Sequence, residues 1–269
     1  MKDYIEIDSN LQIYYESNGT GTAIICVPGW AYSLDIFEHN IDALSKDYRV
    51  ISFDPRSHGN SSVTEKGNTY LQQGRDLHRL LSFLEIKECV LLGWSLGVYA
   101  IYSYLQEYGF GGVRAIIAVD ESPKIIKQSE QDWGEGVQEE IDGLIGLVDS
   151  DAYLGFFRDY MAGGFIEKPS DELLDRFTQK ASSLSPKMAA QLLTDSTKYN
   201  FEQLARDAAQ NIPFLNIVRE SWAENALRWI EKNQPTSKVL VLGEHLMLHE
   251  FAEEFSKSVI NFLANSLSK

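Results

Sequence analysis

The chain has 269 residues, 44% of them hydrophobic and 23% charged, which fits one large α/β domain with an insertion and excludes a disordered or fibrous chain. A formal net charge of −15 with a pI near 4.7 argues against a nucleic-acid or anionic-membrane partner and leaves a small, neutral or weakly charged substrate as the expected one. The start, Met1-Lys2-Asp3-Tyr4-Ile5-Glu6, carries acids where a secretory signal needs an apolar core. The only two cysteines, Cys26 and Cys89, each sit inside an apolar run, as reduced buried thiols do, so a cytoplasmic location is expected.

Two short alternating stretches, Tyr4–Asp8 and Leu11–Glu16, flank the turn-forming Asp8-Ser9-Asn10 and predict a hairpin at a sheet edge. Apolar runs then alternate with helical patterns. A strand is predicted at Ala23–Val27, a helix near Leu34–Leu44, a strand at Tyr48–Phe53, a helix at about Tyr70–Leu84 and a strand at Cys89–Leu92. Such alternation predicts parallel strands buried on both faces. The long uncharged run Cys89–Gln106 contains Gly93-Trp94-Ser95-Leu96-Gly97 at its centre and therefore reads as strand, turn and helix rather than a membrane span. Val113–Val119 is a further buried strand, ended by Asp120-Glu121-Ser122-Pro123.

From about Lys124 to Asn211 no strand pattern appears, only helical segments with starts such as Ser170-Asp171-Glu172 and Ser185-Pro186. The expected organisation is thus a core of residues 1–121 and 212–269 with a helical cap insertion at 122–211. The sheet resumes at Ile212–Val218 and Ser237–Gly243, separated by a helix near Glu224–Lys232, and a last helix is predicted from about Glu250 to Leu267.

A serine between two glycines at a strand-to-helix turn is the context of a nucleophile elbow, in which a strained backbone lifts the hydroxyl clear of the sheet. Serine needs a histidine to take its proton and a carboxylate to orient that histidine. His245 follows the last strand, where strand ends face the crevice, and is the leading base; His58 and His249 are weaker candidates, and His39 and His78 read as packing residues. For the acid, Asp120 ends the strand after the elbow, while Glu220 and Glu224 follow the next one; the short carboxylate placed directly at a strand end favours Asp120. Backbone N–H groups of Leu96 and of Trp30, in the turn Pro28-Gly29-Trp30, are the expected oxyanion donors. Trp94 beside the serine, and Trp133, Phe156, Phe157 and Tyr160 in the insertion, are candidate substrate-binding residues. No group of His, Cys or carboxylates has metal-ligand spacing in the sequence, so no metal or cofactor is expected.

Taken together, the elbow Gly93–Gly97, the turn Pro28–Trp30, the segment Asp54–Ser61 and Gly243-Glu244-His245 followed by Glu250–Phe255 resemble the α/β-hydrolase superfamily over essentially the whole chain. The resemblance implies a mostly parallel eight-stranded sheet flanked by helices, a Ser-acid-His triad and a helical cap. The chain departs from the commonest pattern at Pro28, where that family usually has histidine, at Val98, and at Arg219-Glu220-Ser221-Trp222, which lacks the usual glycine-x-x-aspartate. That last departure favours the acid after the earlier strand, at Asp120. The leading expectation is an esterase-type serine hydrolase acting through an acyl-enzyme. The alternatives are a cofactor-free dioxygenase of hydroxyquinolone type, whose elbows carry histidine where this one has Trp94, and a hydrolase-fold small-molecule receptor; a perhydrolase or haloperoxidase-like side activity also stays open.

Overall fold

A computed structural model describes residues 1–8 and 10–267, so Ser9 of the expected first turn lies outside the described residues. β1 (Lys2–Asp8) and β2 (Leu11–Asn18) form the antiparallel edge hairpin, and β2 also pairs antiparallel with β4 (Arg49–Phe53). β3 (Ala23–Val27), β4, β5 (Cys89–Trp94), β6 (Val113–Val119), β7 (Phe214–Val218) and β8 (Lys238–Val241) are parallel. The eight strands follow the order β1-β2-β4-β3-β5-β6-β7-β8. Every residue of β3, β5 and β7 is buried, as a parallel sheet covered by helices on both faces requires.

Among the core helices, α1 (Glu38–Leu44) packs on the last helix, and α2 (Tyr70–Phe83) packs on α3 (Gly97–Tyr108), which leaves the elbow. The segment expected to begin a helix at Leu34 starts instead as a 3₁₀ turn over Leu34–Phe37. After β6 come α4 (Gln138–Val148), α5 (Tyr153–Gly163), α6 (Asp171–Ala181) and α7 (Pro186–Ser196). Ser170 and Ser185 cap α6 and α7 by accepting the Leu173 and Met188 N–H groups, and Pro186 occupies the first turn, where its missing N–H costs nothing. Two isolated bridges, Lys124 with Asn200 and Ile126 with Gly136, are the only pairings outside named strands among the described residues.

α8 (Glu202–Asn211) packs against α3, and its Ala205 and Ala209 carbonyls accept hydrogen bonds from Gln234 and Thr236. This end of the expected 122–211 insertion therefore joins the helical layer of the sheet core. α9 (Ala223–Asn233) links β7 to β8, and the predicted C-terminal helix forms as α11 (Ala252–Leu267), preceded by the short α10 (Met247–Glu250). No helix of the described residues is long and apolar enough to cross a membrane. Cys26 and Cys89 are free and buried, and burial pushes both thiols up to about 12.

Candidate active site

Backbone conformation converges on the C-terminal ends of the central strands. Of six non-glycine residues with positive φ among those described, Ala31 (61°), Ser95 (53°) and Asp120 (51°) stand beyond the ends of β3, β5 and β6. Such strain persists only where the surroundings impose it. Ser95 donates its N–H to the Val119 carbonyl (2.8 Å), which fixes the elbow to the neighbouring strand. A Cβ at Gly97 would lie 2.3 Å from the Val27 carbonyl oxygen, and one at Gly93 would lie 2.9 Å from the Val98 nitrogen. Both flanking glycines are thus demanded by close backbone approach. Gly29 is tied directly to the serine, since a Cβ there would sit 2.7 Å from Ser95 Cβ.

Asp120 is buried, and its Oδ2 lies 2.6 Å from His245 Nδ1. Its other oxygen accepts the Arg219 main-chain N–H at 3.0 Å. Burial alone would raise this carboxyl, but the Arg219 guanidinium, the His245 hydrogen bond and the Arg219 N–H together hold it below the usual carboxylate range. An ionised Asp120 makes Nδ1 of His245 the donor, which leaves Nε2 as the basic nitrogen. That Nε2 is buried without a hydrogen-bond partner. Behind the ring, Trp94 Nε1 donates to the His245 carbonyl (2.8 Å) and its indole packs on the imidazole with centroids 4.7 Å apart.

Ser95, Leu96, Trp30 and His245 line one cavity of about 230 Å³, below the ~300–1,000 Å³ common for ligand pockets, so it suits a small group. Its remaining wall is mainly apolar, from Ile125, Ile141, Leu144, Phe156, Tyr160 and Leu193. Glu135 and Glu140 supply acidic groups. Neither the Trp30 nor the Leu96 N–H donates to another main-chain group among the described residues.

Known proteins resemble the chain over nearly its whole length. A family model for the alpha/beta hydrolase fold matches residues 22–258. The chain belongs to the α/β-hydrolase fold family. A relative from Synechocystis, named as a putative non-heme chloroperoxidase, is 30% identical over 278 residues, spanning 96% of this chain and 97% of its own. The solved bromoperoxidase of Bacillus anthracis superposes with a TM-score of 0.89 at 27% identity, covering 98% of this chain and 100% of that one. An esterase from Exiguobacterium antarcticum superposes at 0.86 with 21% identity, over 98% and 100% of the two chains, a likeness of fold.

In this α/β hydrolase the sequence-predicted residues fall into two groups. Ser95, Asp120, His245, Trp30 and Leu96 come together, and Tyr160 lines the cavity with its ring edge-on to His245 at 5.6 Å between centroids. Three expected substrate-binding residues do not line it. Trp94 is fully buried behind His245. Trp133 belongs to a separate small core with Val218, Ala226 and Ile230, its ring 5.7 Å from Trp229. Phe157 is buried among Trp30, Tyr32 and Tyr153, while its neighbour Phe156 faces the cavity.

The weaker candidates lie elsewhere. Glu220 is exposed, and Glu224 pairs with Arg228. His58 is buried with Nδ1 2.8 Å from the Arg56 carbonyl, and burial lowers it to about 4. His249 sits 3.3 Å from Glu38.

The absence of metal-ligand spacing in the sequence does not carry over to space, because ligand atoms of Glu38, His39 and His249 lie within 4.8 Å of one another. Both carboxylate oxygens of Glu38, however, accept from the Arg176 guanidinium, which already supplies the cation there. Sequence reasoning missed Tyr32, Glu135 and Arg219. Tyr32 follows the oxyanion turn by two residues and lines the cavity, with its buried hydroxyl unpartnered. For Arg219 a signal existed: a base stands at the strand end where an acid was sought.

Proposed function

We propose that this α/β hydrolase cleaves carboxylic esters of small, apolar acyl or alcohol groups through a serine acyl-enzyme. The observation that carries this reading is the 2.6 Å contact between Asp120 and His245 beside an unpartnered Nε2, in a cavity shared with the elbow serine. His245 Nε2 takes the Ser95 hydroxyl proton as Oγ attacks the acyl carbon, and the Trp30 and Leu96 N–H groups receive the developing oxyanion. The protonated His245 then delivers that proton to the leaving alcohol. Water, deprotonated by the same nitrogen, attacks the acyl-enzyme and returns Ser95 and the free acid. Asp120 keeps Nδ1 protonated and the ring oriented throughout. The small apolar cavity supports short neutral groups as substrates.

The experiment is the intact mass of the protein after treatment with a fluorophosphonate, with Ser95→Ala as control, followed by a chain-length series of neutral esters. One adduct, lost in the variant, with turnover greatest for short esters, is expected; no adduct on the folded wild type overturns the serine reading. A second reading is favoured by the relatives named as chloroperoxidase and bromoperoxidase. In it hydrogen peroxide replaces water as the acceptor, attacks the same acyl-enzyme and leaves as a peracid. Peracid formation that requires both an acyl donor and Ser95 tests it.

A further inference from the structure

Arg219 stands directly after β7, the neighbour of β6, just beyond whose end Asp120 stands. The register pairs Val119 with Ile217, and Asp120 N–H donates to the Ile217 carbonyl at 2.7 Å, so the two strand ends are locked side by side. From there Arg219 reaches the triad acid twice, with its main-chain N–H on Oδ1 at 3.0 Å and its guanidinium 3.5 Å from Oδ2. The same guanidinium lies 3.6 Å from Glu135, a residue of the cavity wall, and over the Trp222 ring at 3.4 Å. Its side chain is 11% exposed.

A planar guanidinium stacked on one side and paired at both ends can occupy few orientations. It also faces a crowded set of acids. Glu121, next to Asp120, is buried with one oxygen unpartnered, and burial together with Glu135 and Asp120 pushes it well above the usual carboxylate range. Opposite the His245 imidazole, Arg219 supplies the cation against the Asp120 carboxylate.

We propose that Arg219 is a positioning residue for the triad acid, holding Asp120 in the orientation that accepts His245 Nδ1–H and fastening it, through Glu135, to the wall of the substrate cavity. This rests on the serine-triad reading above. The arrangement exchanges the charges at two neighbouring strand ends: the acid follows β6, and the position after β7 supplies its cation. Arg219 does not line the cavity, so its effect passes through Asp120 rather than through substrate.

The test is a double-mutant cycle on ester turnover. Arg219→Met is expected to lower kcat about 30-fold with KM changed less than about threefold, within the ~10²-fold that a 1 Å misplacement costs. Arg219→Lys should recover part of that loss, since it restores charge but not the fork. In an Asp120→Asn background the same Arg219→Met change should cost less than about twofold, because residues acting as one unit are non-additive. Equal losses in both backgrounds overturn the proposal. Should Arg219→Met fail to fold, Glu135→Gln loosens the guanidinium from the other side; a kcat loss present when Asp120 is intact and absent in the Asp120→Asn background supports the proposal, and equal effects overturn it. The downfield His245 Nδ1 proton resonance gives a readout independent of turnover, expected in the wild type and lost or broadened in Arg219→Met. Its persistence overturns the positioning role, whereas a wild type without a fluorophosphonate adduct overturns the triad reading instead.

Discussion

The backbone that carries the strand-end groups of this molecule is tied to the sheet, while the groups that α4 and α5 bring to the cavity wall are held by side-chain packing. Ser95, Asp120 and Ala31 have positive φ values, and hydrogen bonds to the adjacent strand tie the main chain of Ser95 and Asp120 to the sheet. Phe156, Tyr160, Ile141 and Leu144 project from α4 and α5, and the Phe156 and Tyr160 rings support one another at 5.9 Å. Main-chain anchoring suits groups that must meet a reacting atom within a fraction of an ångström; packed side chains suit a surface that only selects. Changes at the strand ends should therefore act on kcat, and changes in the wall from α4 and α5 on KM or on stability.

The largest expected effect is that of Ser95→Ala. Turnover should fall by about 10⁴-fold or more with the folded state intact, because the nucleophile itself is gone. Steady-state rates beside a thermal melt check both halves; turnover that survives would remove Ser95 from the mechanism. Asp120→Asn should follow at about 10³–10⁴-fold in kcat, by favouring the wrong histidine tautomer. Glu220→Gln, at an exposed site one residue beyond Arg219, should change kcat less than about twofold, the range of an ordinary surface substitution. The reverse ranking would move the acid to β7.

This division also explains what was legible in the sequence. Strand ends are marked by short-range signals: glycines where backbones approach, an acid or histidine directly after an apolar run. Ser95, Asp120 and His245 are singled out by such marks, and most of the sheet is legible in the same way. The helical wall of the cavity has no such marks. Phe156 and Phe157 are adjacent on α5, about 100° apart around a helix of 3.6 residues per turn, and only the docking of α5 against Trp30 and Tyr32 decides that Phe157 is core and Phe156 is wall. Trp133 finds its partners Val218, Ala226 and Ile230 on β7 and α9, which no local pattern announces. Arg219 was visible as a missing acid but not as a cation, because its partners Asp120 and Glu135 belong to distant chain segments.

The two phenylalanines give the sharpest test of that boundary. Phe157→Ala should destabilise by about 3–5 kcal/mol, as removal of a fully buried ring does, with KM nearly unchanged in the fraction that stays folded. Phe156→Ala should leave the melting temperature within a few degrees of wild type and raise KM about tenfold for the preferred ester, roughly the discrimination available from apolar contact. Matching behaviour of the two variants would erase the distinction between core and wall.

Acid sensitivity should likewise reside on the strand-end side. Burial lowers His58 from 6.5 to about 4, so on acidification the unfolded chain takes up a proton first. This contribution is complete above pH 6.5 and is lost between there and about 4, to an extent of about 3 kcal/mol. Asp54 in the same loop opposes it: burial raises its carboxyl from 3.8 to about 6, so its contribution is complete below 3.8 and is lost as pH rises through about 6. Denaturant unfolding of His58→Asn across this window should show a flatter acid decline than wild type. An unchanged slope would mean that His58 charges as readily in the folded chain as in the unfolded one.

Trp30 belongs to both regions, and its replacement should have only a modest effect. The residue lines the cavity, while its indole Nε1 donates to the Ala189 carbonyl of α7 at 2.9 Å and its ring meets Tyr153 and Phe157 edge-on. Trp30→Phe keeps the main-chain N–H and an aromatic body but deletes the bond to α7. The expected cost is about 1 kcal/mol of stability, the net worth of one hydrogen bond. Because α7 also carries Leu193 of the cavity wall, KM should rise about two- to threefold while kcat holds. A fall in kcat as deep as that of Asp120→Asn would show that the ring, and not the sheet, sets the position of the Trp30 N–H, and would break the division between strand ends and helical wall at the residue that joins them.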